Sequence, residues 1–224
     1  MKKLCVGFIA VVLAFSFTSC STNETDLEIP QESLLKSYKL KKDASGLYSI
    51  DYNVADKTVS DTRIGLNSLS NEFHLSKVGH ETKDQYNEDL SLNNDKLNIS
   101  FLDNETGKSV NLTVVDENIT LAKGKSTRFL KSYGVTNNTD NSYQIDFEVN
   151  DNVATSFVYN ENLARYEIHL AKGESTETTF SRVMELSDIG RLEIVFVNHF
   201  LLGKGLAETT STKPQVIIEV PSTN

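Results

Sequence analysis

Apolar and polar residues alternate in short runs along most of the chain. Tyr48, Ile50, Tyr52 and Val54 share one side of such a run, with Ser49, Asp51 and Asn53 opposite. Tyr143, Ile145, Phe147 and Val149 repeat the arrangement further along. A period of two puts every apolar side chain on the buried face of a half-exposed strand. Polar clusters such as "DNETG", "NNTDNS" and "YNENL" separate the runs, and no long helical period follows the first residues. Many short strands spaced in this way predict an all-β, antiparallel sandwich architecture.

The runs also recur at a fixed shift of 95 residues. Leu35-Lys36-Ser37-Tyr38 matches Leu130-Lys131-Ser132-Tyr133, and Tyr48–Tyr52 matches Tyr143–Phe147. Val54 and Asp56 match Val149 and Asp151, His74–Lys77 matches His169–Lys172, and Leu97–Phe101 matches Leu192–Phe196. One shift across several blocks marks a tandem duplication. The expected units are 27–116 and 117–224, each folding by itself and joined end to end through a short link without Gly or Pro.

Two nonapeptides, "ITLAKGKST" from Ile119 and "IHLAKGEST" from Ile168, do not share this register. They are expected to be two different strands of one unit, each leaving through a glycine turn with positive φ. A phosphate-binding loop would need more glycines and a following helix, and neither is present.

The second unit resembles the immunoglobulin-like superfamily. "ITLA", "STRFLKSYGV" and "SYQIDFEV" would be strands A, B and C, followed by "ATSFVY", "RYEIHLA", "TETTFSRVMEL", "RLEIVFVN" and "QVIIEV". "LSDIGRLEI" looks like that family's E–F corner, with Leu192 and Ile194 in its tyrosine and cysteine places, and "NNDKLNI" is a weaker form in the first unit. The resemblance implies two tandem immunoglobulin-like sandwiches, without the corner hydrogen bond or the inter-sheet disulfide.

Lys2 and Lys3, the apolar run Leu4–Phe17 and Thr18-Ser19-Cys20 form a basic, apolar and small-residue sequence. The run is shorter than the ~20 residues a membrane-spanning helix needs, so it reads as a secretory leader. Cys20 after small residues resembles the lipobox of bacterial lipoproteins, with Phe17 where Leu is usual. The resemblance implies a signal peptide over 1–19, lipidation of Cys20, a polar tether over 20–26 and a place at the outer membrane. Loss of Lys2 and Lys3 with the leader would take the net charge from −9 to −11. Such acidity opposes nucleic acid and anionic lipid surfaces, leaving the lipid as the membrane contact.

Candidate chemistry is sparse. The 2 cysteines are Cys5 and Cys20, so no thiol remains for a disulfide, a zinc site or a nucleophile. His74 and His169 occupy equivalent outward positions in different units, while His74 and His80 could approach across a turn. Asp51 and Asp146 are equivalent outward carboxylates, and no Gly-x-Ser-x-Gly marks a nucleophile elbow. Neither a cofactor nor a catalytic set is expected, and a hydrolase is the least favoured function. The acidic loops carry oxygen ligands, but none fits an ordered calcium loop.

The repeats differ most between their last two strands. "DNETGKS" in the first becomes "NHFLLGKGLAETTSTKP" in the second, about ten residues longer. The addition brings Phe200, Leu201, Leu202 and Leu206 into what should be a solvent-facing hairpin. These four are the candidate partner-binding residues, unless the segment extends its strand and packs on its own unit. The expected function is that of a lipid-anchored envelope module binding a protein or glycan, with a spacer or assembly subunit as the alternative.

Overall fold

The computed structural model describes residues 32–65, 70–116, 129–138, 140, 142–201 and 208–220. Cys20, the tether, the first nonapeptide, Leu202 and Leu206 lie outside the described residues. The described residues form strands, turns and loops without a helix, so the all-β expectation holds.

Seven strands make up the first repeat: β1 (Leu35–Lys42), β2 (Tyr48–Val54), β3 (Thr58–Ile64), β4 (Ser70–Lys77), β5 (Gln85–Leu90), β6 (Lys96–Asp103) and β7 (Ser109–Val115). The second repeat continues with β8 (Leu130–Asn137), β9 (Tyr143–Val149), β10 (Val153–Asn160), β11 (Arg165–Lys172), β12 (Thr179–Met184), β13 (Arg191–Leu201), β14 (Glu208–Ser211) and β15 (Gln215–Glu219). The 95-residue shift carries β1, β2 and β4 onto β8, β9 and β11 residue for residue. Irregularities at Leu35/Ser37 and Leu130/Ser132 recur at equivalent places, as do the positive φ angles of Lys57 and Asn152. Even local backbone detail has been copied.

Both sheets run through both repeats. One has the order β12-β9-β8-β1-β2-β5, and the other β10-β11-β13-β15-β7-β6-β4-β3, with β14 beside the end of β13. The halves therefore lie side by side in continuous sheets instead of meeting end to end. Leu40 pairs with its own repeat equivalent Val135 where β1 meets β8. In the other sheet Thr113 pairs with Ile217 where β7 meets β15. Leu97 faces Val114 and Leu192 faces Ile218, so these too are repeat equivalents, displaced by 104. Each seam thus pairs a strand with its own copy, as an isologous two-fold interface does.

The six-stranded sheet is antiparallel throughout, as expected, but the nine-stranded sheet is mixed: β4 runs parallel to β6 and β11 to β13. A further difference lies in β8 and β9, which are hydrogen-bonded neighbours. The immunoglobulin arrangement sends the corresponding B and C strands to opposite sheets. Alternation marks which residues are buried, but it says nothing about which strand is the neighbour.

The apolar faces meet between the sheets. Tyr38 and Tyr52 pack on Phe101 with ring centroids 5.7 and 5.1 Å apart, and Phe147 and Tyr133 pack on Phe196 at 5.5 and 5.4 Å. Each such side chain contributes about 1.5–3 kcal/mol through burial, and the ring geometry adds about 0.5–1.5. The expected inward residues Leu192 and Ile194 are buried below the corner, where Gly190 adopts φ 72° and its N–H donates to the Ser187 carbonyl.

Gly173, in the second nonapeptide, has a different reason from the one expected. It is not a positive-φ glycine, and a Cβ there would come within 2.6 Å of the Ala154 Cβ. The residue is small because β10 and the chain leaving β11 approach closely.

Four tyrosines line the core at the seam in two equivalent pairs. Tyr133 donates to the Tyr48 hydroxyl at 3.2 Å, and Tyr38 lies 3.4 Å from the Tyr143 hydroxyl. Only the first pair ends on charge. Tyr48 donates to Asp116 Oδ2 at 2.7 Å, and Lys42 Nζ contacts the same oxygen. Both charged side chains are almost fully buried. Asn137 stands in the place of Lys42, and its Oδ1 accepts the Tyr38 backbone N–H. Burial, reinforced by Tyr133 and the Asp116 charge, holds the Tyr48 phenol far above its ordinary pKa, so it remains a neutral donor.

Candidate functional site

Along β11, residues with odd numbers point away from the core, so Arg165, Glu167, His169 and Ala171 form one outward row. Parallel pairing with β13 sets His169 beside Val197 and Ala171 beside His199. Antiparallel pairing with β10 sets Ser156 opposite His169. Ala154, Thr155, Ser156, Val158, His169, Ala171 and His199 line an open hollow of about 470 Å³. Its floor is small and uncharged because β10 carries no acidic or basic side chain.

The imidazoles form its polar wall. His169 Nδ1 lies 2.8 Å from His199 Nε2, and His169 Nε2 lies 3.2 Å from Glu167 Oε2. Ring centroids 5.1 Å apart are too distant for face-to-face overlap at that nitrogen contact, so the rings meet edge to edge. A carboxylate only accepts, so Glu167 fixes the His169 proton on Nε2. With His169 neutral, its Nδ1 then accepts from His199 Nε2–H. Thr155 Oγ1, on the inward side of β10 with Val153 and Phe157, is buried without a partner among the described residues.

Glu167 is itself held in place. Arg165 Nη2 and Nε lie 2.7 and 2.8 Å from Oε1, and Asn160 Nδ2 donates to the same oxygen at 3.0 Å. Burial alone would raise its pKa. The hydrogen bonds from Arg165 and Asn160, the Arg165 charge and the His169 contact outweigh burial and hold it below the usual carboxylate value. Glu193 extends the network, taking Arg191 at 2.8 Å and Gln215 at 2.7 Å. A depressed carboxyl pKa stabilises the fold above the unfolded value near 4.3, and this contribution fades as pH falls through the folded value. Glu167→Gln should therefore cost about 1–3 kcal/mol at pH 7. In urea titrations the gap from wild type should close below about pH 4; a gap constant from pH 7 to 3 would remove the charge from the account.

The first repeat carries self-paired polar side chains at the corresponding positions. Asp61 and Arg63 replace Ser156 and Val158 and pair with each other at 2.9 Å. Asn104 replaces His199 and donates to Ser76 Oγ at 2.7 Å. Only the carboxylate–imidazole contact is kept, with His74 Nε2 3.3 Å from Glu72 Oε2. The uncharged floor and the imidazole pair belong to the second copy.

The sequence-derived candidates are distributed as follows. His74 and His169 are outward, as expected, while His80 is exposed in the β4–β5 connection and His74 takes Glu72 as its contact. Asp51 and Asp146 meet lysines of β1, Lys41 and Lys39, the second at 3.6 Å. Asp103 opens "DNETG" as a turn cap, its Oδ1 accepting the backbone N–H groups of Glu105 and Thr106 at 3.0 Å. Among the described residues, no three His, Cys, Asp or Glu side chains are grouped to hold a metal. Phe200 lies in the extension of β13 and stacks on Phe129 with centroids 5.4 Å apart. The backbone of Leu201 ends that strand.

The Glu-x-His spacing at 72/74 and 167/169 was visible in the sequence and places both side chains on one strand face. The contribution of His199 was not, because it depends on the parallel register of β11 and β13. No protein-family model, curated protein or solved structure matches this chain.

Proposed function

We propose that this protein is a lipid-anchored envelope module that recognises a protein or glycan through the second repeat. Cys20 carries the lipid in this reading, and its sandwich is immunoglobulin-like only in the loose sense of two packed sheets. The carrying observation is the contrast between the copies: the same strands carry a charged, self-paired polar surface in the first and an uncharged, imidazole-walled hollow in the second. An uncharged floor of small side chains suits a neutral, hydroxyl- or carbonyl-rich ligand more than a strongly charged one. The apolar segment Phe200, Leu201, Leu202 and Leu206 follows His199 in the sequence and is kept as a second candidate for partner contact, with Phe200 stacked on Phe129.

Palmitate labelling of intact cells should mark the wild-type chain and not Cys20→Ala; equal labelling would remove the anchor. Mild crosslinking followed by affinity capture tests recognition. Ser156→Asp/Val158→Asp should lose the captured partner while keeping the wild-type melting temperature. A partner retained by this variant and by Phe200→Ser/Leu201→Ser/Leu202→Ser would favour an assembly subunit that uses another surface.

A further inference from the structure

Among the described residues, the two continuous sheets end at four strands: β12 and β5 in one, β10 and β3 in the other. An edge strand presents unpaired backbone donors and acceptors, and charged side chains are a common guard against further pairing. β3 carries Asp61 and Arg63, β5 carries Glu88 and Asp89, and β12 carries Arg182. β10 is eight residues long and carries no charge. Its Val158 and Tyr159 are each about half exposed, at 47% and 48%. In a chain of net charge −9, this is the edge least guarded against another strand.

We propose that β10 pairs antiparallel with β10 of a second copy of this chain, giving a two-fold dimer whose nine-stranded sheet continues across the axis. The seam inside the chain supports that occupant. There the same architecture already joins two copies of itself by antiparallel pairing of equivalent strands, Leu40 against Val135 and Thr113 against Ile217. A strand running antiparallel to its own copy is self-complementary for any side-chain sequence, because the backbone groups match about the axis. An uncharged strand has no complementary charge to select a foreign acidic or basic segment, and it avoids the like-charge contacts a two-fold axis would impose. The dimer would also place two His169–His199 hollows beside each other, since Ala154, Ser156 and Val158 belong to both the edge and the hollow.

Native mass measurement and sedimentation equilibrium of the full chain in non-ionic detergent test this. The expected species is a dimer, with twice the mass of the same chain after denaturation. Ser156→Lys/Val158→Lys puts charges on both sides of the axis in any central register, and should weaken dimerisation by roughly tenfold or more without changing the melting temperature. Val183→Lys, on the edge strand of the other sheet, should leave the dimer intact. A wild-type monomer at every concentration overturns the proposal, as does a dimer that survives the double lysine substitution or is lost equally in Val183→Lys. The readout is self-association alone, so failure here leaves the recognition reading to its own capture experiment.

Discussion

Expressed separately, Glu32–Asp116 and Glu117–Asn224 should each lack cooperative melting as a monomer, whereas co-expression should restore it. Cutting at the repeat boundary exposes β1 and β8 in one sheet and β7 and β15 in the other. Leu40, Val135, Val114 and Val216 are fully buried at these seams. Each seam residue would lose about 1.5–3 kcal/mol of burial, and several together approach the whole stability of a domain, about 5–15 kcal/mol. The self-paired seams add a second expectation: a half expressed alone should dimerise through the strand that normally meets its copy. Monomeric halves with sharp melting transitions would show that the seam is an accessory contact and that each repeat is a complete domain.

The second large effect is expected at Lys42 and Asp116. Removing one member of a buried ion pair leaves the other charge desolvated, which costs about 3–5 kcal/mol. Lys42→Met removes the ammonium from the Asp116 carboxylate beside Tyr48, and Asp116→Asn removes the carboxylate from the ammonium that lies 5.7 Å from the Tyr48 ring centroid. Urea unfolding at pH 7 should show this loss for either single variant. Lys42→Met/Asp116→Asn should be less damaged than either, because no unpaired charge remains and the introduced amide oxygen would still accept from Tyr48. The second repeat already occupies the equivalent seam position with neutral Asn137. Single variants within about 1 kcal/mol of wild type would mean that solvent reaches the pair.

The hollow depends on the same copying followed by divergence. Six of the first-repeat strands reappear close to the 95-residue register, yet Ser156, Val158 and His199 replace Asp61, Arg63 and Asn104. Once the framework is fixed twice, one copy can hold shape while the other changes its outer face. That separation explains why the changes cluster on outward positions of β10 and β13, whereas inward Phe101 and Phe196 stay aromatic and packed.

The sequence alone determined the strand content, the duplication and the inward face of most strands. Alternation in "YSIDYNV" and "YQIDFEV" follows from the two-residue period of an extended chain, a local property that needs no knowledge of neighbours. The fixed shift placed β8, β9 and β11 before any fold was known. Tertiary structure decided who sits beside whom. Backbone hydrogen bonding is nearly blind to side chains, so nothing local says that β1 meets β8, that β11 runs parallel to β13, or that β8 and β9 share a sheet. For the same reason, the two-residue spacing of Glu167 and His169 could have marked a same-face pair, while nothing local pointed to His199. It arrives from thirty residues away through strand register, and only that register makes one wall of two imidazoles and a carboxylate.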